Sequence, residues 1–90
     1  MPEESDLLMF TGTECTHCHE MKPFVEQLEK EAGVAVTSIE VWHNAANMKK
    51  LQELDGGKCG GIPFFYNKKT GAWICGSASY DDLKKWALGK

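Results

Sequence analysis

Two cysteines three residues apart, Cys15 and Cys18, fall at the seam between a short apolar run and a segment with helical periodicity. Leu7-Leu8-Met9-Phe10 reads as a buried strand, closed by the breaker cluster Thr11-Gly12-Thr13. Beyond Cys15, residues Met21, Phe24, Val25, Leu28 and Ala32 recur at helical spacing and stop at Gly33. The pair therefore sits at the start of a helix. There, unpaired N–H groups and the positive end of the helix dipole stabilise an adjacent anion. A thiolate ionises more readily in that place, and the thiolate is the species that attacks disulfides or binds metal. A Cys-x-x-Cys pair in a chain of 90 residues admits three readings: a redox dithiol, a metal site, or two inert buried cysteines.

The remaining elements follow from pattern and punctuation. Val34 to Trp42 reads as a second strand, with a change of phase between Val36 and Ile39 that calls for a bulge or a late start. Asn44 is a helix N-cap ahead of Met48, Leu51 and Leu54, and Asp55-Gly56-Gly57 ends that helix. Ile62 to Tyr66 and Ala72 to Cys75 form a hairpin across the turn Asn67–Gly71. Ser79, with Asp82 three residues on, opens a last helix carrying Leu83, Trp86 and Ala87. The order β-α-β-α-β-β-α implies an α/β fold, a four-stranded mixed sheet with three helices, in a single domain over residues 1–90.

Composition narrows the function classes. The net charge is −3 and the basic residues form no stripe, which argues against nucleic acid as a partner. No apolar run approaches the roughly 20 residues needed to span a bilayer, and the acidic start lacks the plan of a signal peptide. The chain is expected to be cytoplasmic, away from membranes and monomeric. Four cysteines could also form a structural disulfide framework, but the close spacing of Cys15 and Cys18 favours chemistry over stapling.

From Met9 onward the sequence resembles the thioredoxin superfamily, in its small glutaredoxin-sized form. The resemblance rests on the dithiol opening the first helix, Pro23 five residues after Cys18, Gly61-Ile62-Pro63, the strand Phe64-Phe65-Tyr66, and Gly76-Ser77-Ala78-Ser79 with Leu83 and Trp86. It implies a minimal thioredoxin-like fold and thiol–disulfide exchange with protein disulfides. Cys15 would be the nucleophile and Cys18 the resolving thiol, with His17 tuning the pair. Thr16, Gly61, Ile62 and Pro63 would bind substrate, Ile62-Pro63 being cis so that the Ile62 backbone pairs with a bound peptide. A recycling reductase or glutathione would be the other partner. No organic cofactor and no metal are required, because the dithiol itself carries two electrons.

Two departures stand out. Glu14 occupies the position of the usual Trp before the first cysteine, where its charge would oppose ionisation of Cys15. Met9 stands where a buried Asp would take the proton of Cys18, leaving that acceptor unassigned. The alternatives are a glutaredoxin-like metal or iron–sulfur carrier using the same thiols, and a non-catalytic adaptor that binds partners in the groove. Cys59 reads as a half-buried loop cysteine or as a third thiol forming a regulatory disulfide, Cys75 as core packing, and His43 as a surface residue. Trp42, Trp73 and Trp86 read as core or core-edge aromatics, with the strand phase of Trp42 unfixed.

Overall fold

The computed structural model describes residues 6–57 and 59–89. Its elements are β1 (Leu7–Thr11), α1 (Thr16–Ala32), β2 (Val36–Glu40), α2 (Ala45–Asp55), β3 (Phe64–Asn67), β4 (Trp73–Cys75) and α3 (Tyr80–Leu88). The four strands form one sheet in the order β2-β1-β3-β4. β1 runs parallel to β2, with Leu7 opposite Val36, and antiparallel to β3, with Phe10 opposite Phe64. β4 closes the hairpin with Cys75 opposite Phe64. The α/β fold with a four-stranded mixed sheet and three helices is the one expected from the sequence.

β1 is apolar throughout because both of its faces are covered. Leu7 and Met9 join Met21, Leu28, Phe65 and Trp86 under α1 and α3, while Leu8 and Phe10 join Ile39, Leu51 and Phe64 under α2. Each large side chain removed from water in this way contributes roughly 1.5–3 kcal/mol. With both faces apolar, the register of β1 is held by the fit of these side chains into the two clusters and not by a polar–apolar alternation.

The helix ends follow the chemistry of their sequences. Asn44 accepts the Asn47 N–H at 3.1 Å and Ser79 Oγ accepts the Asp82 N–H at 3.2 Å, each satisfying one orphan donor. α1 continues through Pro23, and Gly33 closes it in the left-handed conformation. Phe24 lies outside the buried stripe of α1 and is 39 % exposed, contrary to the periodicity reading. It sits about 60° round the helix from Met21, at the edge of the face that Cys18, Met21, Val25 and Leu28 bury. β2 starts late, at Val36, as its phase change implied. β3 starts at Phe64 rather than Ile62, because the chain bends through Gly61–Pro63 before entering the sheet.

Two of the three tryptophans are not core residues. Trp86 is buried, edge-on to Phe65 at 5.4 Å, with its indole N–H donating to the Ala72 carbonyl at 3.2 Å. Trp42 and Trp73 are 47 % and 41 % exposed. Trp42 lies beyond the last residue of β2, in the β2–α2 loop, and Trp73 is on the edge strand.

Candidate active site

The cysteines occupy the helix start that the sequence implied. Cys15 is the N-cap of α1, in extended conformation, and its Sγ accepts the Cys18 N–H at 3.2 Å. The N-cap position is one at which a side-chain acceptor satisfies a helix donor; here that acceptor is sulfur. Cys15 and Cys18 form a disulfide, their Cα atoms 5.2 Å apart. Cys18 is fully buried and Cys15 only 5 % exposed. Cys18 is thus the deeper of the two, and the sulfur of Cys15 is also largely withdrawn from solvent. Bonded to Cys18, it is drawn into the apolar cluster beneath α1, against which Ile62 also packs.

Three loops converge beside the pair. Gly12, after β1, is buried, and a Cβ there would fall 2.6 Å from Cε3 of Trp42 and 2.8 Å from Cδ1 of Ile62. The absence of a side chain at Gly12 is what lets the β1–α1 loop, the β2–α2 loop and the bend before β3 meet there. Pro63 is fully buried, its peptide bond with Ile62 is cis, and its carbonyl accepts the Gly76 N–H at 2.8 Å. Thr16, at the first turn of α1, and Gly61 are exposed.

The histidines are arranged differently from the sequence reading. The ring of His17 is directed to Glu20, Nδ1 donating to the carboxylate at 3.4 Å, and its side chain is largely exposed. Among the described residues it makes no hydrogen bond or ion pair with Cys15. His19 donates from Nε2 to the Thr13 carbonyl at 2.7 Å, bracing the loop that leads to Cys15. The imidazole that reaches the residue before Cys15 is that of His43, whose Nε2 lies 2.7 and 2.8 Å from the Glu14 carboxylate oxygens. The Glu14 carboxylate raises the His43 pKa by hydrogen bond and by charge, with Glu40 adding to it.

Glu40 is the hub of this corner. It accepts the His43 N–H at 2.7 Å, and its other oxygen accepts the Thr13 N–H at 3.0 Å, the Thr13 hydroxyl at 3.3 Å and the Trp42 N–H at 3.2 Å. Desolvation opposes its ionisation, but the backbone hydrogen bonds from His43, Thr13 and Trp42 prevail and hold its pKa below the ordinary carboxylate value. Sequence reasoning did not single out Glu40. The available signal was an acidic residue closing a strand just before a loop whose N–H groups needed an acceptor.

Cys75 corrects the sequence reading, while Cys59 is half-buried in its loop as expected. They form a second disulfide, Cα atoms 5.4 Å apart, and Cys75 is exposed rather than part of the core. Cys75 is the last residue of the edge strand, so its side chain meets the loop before β3 rather than a helix. Asp55 seats the same loop: nearly buried, it accepts the Cys59 N–H at 2.6 Å and the Gly60 N–H at 2.8 Å. An acid in the last turn of a helix opposes the dipole, which was a sign that Asp55 has work outside the helix. The disulfide and Asp55 thus hold the segment leading into Gly61-Ile62-Pro63 from two sides.

This architecture matches solved structures. A point mutant of the thioredoxin-like protein BC3987 superposes with a TM-score of 0.70 at 16 % identity, covering 94 % of this chain and 97 % of that one. The chain has a thioredoxin-like fold. The glutaredoxin grx-1 from Archaeoglobus fulgidus superposes with a TM-score of 0.65 at 18 % identity, covering 91 % of this chain and 85 % of that one. No protein-family model matches the chain, and no curated protein matches it. At such identities the likeness is one of fold, and what this thioredoxin-like chain does has to be argued from its own site. The fold together with a Cys-x-x-Cys pair supports a redox thiol function in general. No helix among the described residues is long and apolar enough to cross a membrane.

Proposed function

We propose that the chain is a thiol–disulfide oxidoreductase that exchanges its Cys15–Cys18 dithiol with disulfides in proteins. The observation that carries this reading is Cys15 as the N-cap of α1, its sulfur accepting the Cys18 N–H while bonded to the Cys18 sulfur. In the reduced protein the same N–H and the helix end favour a thiolate at Cys15. That thiolate attacks one sulfur of a substrate disulfide, forming a mixed disulfide and releasing the other substrate sulfur as a thiolate. Cys18 then loses its proton and attacks Cys15 Sγ. The Cys15–Cys18 bond closes, the second substrate thiolate leaves, and two electrons have passed to the substrate. A reducing dithiol protein or glutathione returns the pair to the dithiol by the reverse chemistry.

Substrate recognition is assigned to Thr16, Gly61, Ile62 and Pro63, with Trp42 added from the structure. Among the described residues none hydrogen-bonds the backbone of Ile62, so its N–H and carbonyl are free to pair with an extended peptide. Trp42 is half exposed and close to Ile62 across Gly12, where it offers an apolar wall. It supplies from the β2–α2 loop an aromatic surface that Glu14 cannot supply. His17 keeps the tuning role given to it only if its ring leaves Glu20, so its replacement should have the smaller effect.

Turnover of insulin disulfides with a dithiol reductant tests the assignment. Cys15→Ser should abolish turnover, and Cys18→Ser should accumulate a mixed disulfide between Cys15 and the substrate, visible by intact mass. Full activity of Cys15→Ser would overturn the reading.

A further inference from the structure

The corner that precedes Cys15 is fastened by side chains from β2 and the β2–α2 loop. Glu14 and His43 are about 60 % exposed, and an ion pair in that setting ordinarily contributes little to stability. Yet Glu40 pins the neighbours of both partners, holding Thr13 on one side and the backbone of Trp42 and His43 on the other. The Glu14–His43 contact is therefore presented ready-made, and it costs little further ordering of the chain.

Its consequence falls on Cys15. A carboxylate on the adjacent residue disfavours a second negative charge on the thiol, and an imidazolium within hydrogen-bonding distance of that carboxylate cancels the effect. Among the described residues, Glu40 on β2 and His19 and Lys22 on α1 border a hollow beside Thr13. His17 and Glu20 pair with each other on the outer side of α1. Among the described residues none of these hydrogen-bonds or ion-pairs with Glu14, whose partner is His43.

We propose that His43 is a positioning residue for the nucleophile: its ring, at hydrogen-bond distance, holds the Glu14 carboxylate and, when protonated, offsets its charge on the residue before Cys15. The β2–α2 loop, distant in sequence, thereby controls how readily Cys15 ionises. This inference deepens the oxidoreductase reading and rests on it.

The test is the pH dependence of Cys15 alkylation by iodoacetamide in the reduced protein, followed by peptide mass. It is run for the wild type, His43→Ala, His43→Lys, Glu14→Gln and the double variant Glu14→Gln/His43→Ala. A charge about 6 Å away in a water-like dielectric moves a neighbour's midpoint by about half a pH unit. His43→Ala should raise the Cys15 midpoint by about that amount, slowing alkylation roughly threefold on the acid side. His43→Lys should restore the wild-type midpoint, and added salt should narrow the gap. In the Glu14→Gln background His43→Ala should have no effect, which a merely structural role for His43 would not produce. Superimposable curves for wild type and His43→Ala, or an equal shift without Glu14, would overturn the proposal. The titration does not depend on turnover. Absent insulin reduction with the shift present would remove the oxidoreductase reading alone, and superimposed curves with intact turnover would remove only the role of His43.

Discussion

Replacing Cys59 and Cys75 together by serine removes the covalent closure of a segment that runs from the end of α2 to the end of β4. The two cysteines are 16 residues apart. In the chain-entropy treatment, releasing a loop of that length in the unfolded state lowers stability by about 3 kcal/mol at room temperature. For a domain of this size each kcal/mol moves the melting temperature by roughly 4–8 °C, so a fall of roughly 12–24 °C is expected. The assay is urea unfolding of the oxidised wild type and the oxidised double variant, both retaining the Cys15–Cys18 bond and analysed by linear extrapolation. Both serines remain compatible with their sites, since Cys75 is exposed and Cys59 only half buried. The loss should therefore come from the unfolded chain and not from a hole in the core. A loss below about 1 kcal/mol would refute the loop-closure argument and place the fastening of this loop on Asp55 alone.

Other expectations follow from the same contacts. Asp55→Ala leaves the N–H groups of Cys59 and Gly60 without their charged acceptor and should cost about 1–3 kcal/mol, read by the same urea titration. Gly12→Ala should destabilise by about 1–3 kcal/mol through overpacking and should shift the tryptophan emission; Trp42→Ala added to it should recover part of the loss. Trp42→Ala alone should weaken turnover of protein disulfides more than exchange with glutathione, measured as the ratio of the two rates. The lowered pKa of Glu40 stabilises the fold above its ordinary value of 4.5, a contribution lost as pH falls through the lower folded value, so Glu40→Gln should flatten the acid limb of stability against pH. His43 acts in the opposite sense. Its raised pKa stabilises fully below about 6.5 and the gain fades as pH rises through the folded value, a dependence that His43→Ala should remove from a thermal-melt series.

The parts of the structure that were legible in the sequence are those set by local rules. The continuous apolar run of β1, the caps Asn44 and Ser79, the stop at Gly33 and the placement of Cys15 at a helix start each depend on a few neighbouring residues. The parts that were not legible depend on residues brought together by the fold. Glu40 and Thr13 are 27 positions apart, and Glu14 and His43 are 29 apart, so no spacing rule connects them. Cys75 looked like a core residue because an apolar strand surrounds it; only the edge position of β4 turns it toward Cys59. His17, adjacent to Cys18 in sequence, faces Glu20 one turn on, since the helix carries it away from the sulfur.

Equilibrating the protein against glutathione buffers of graded potential, then alkylating free thiols and locating the labels by peptide mass, separates a redox dithiol at Cys15 and Cys18 from a metal site. The expected result is a reversible two-electron transition shared by Cys15 and Cys18 and separate from any change at Cys59 and Cys75. A pair that never closes reversibly, with thiols that resist alkylation until a chelator is added, would contradict it and point to a metal site.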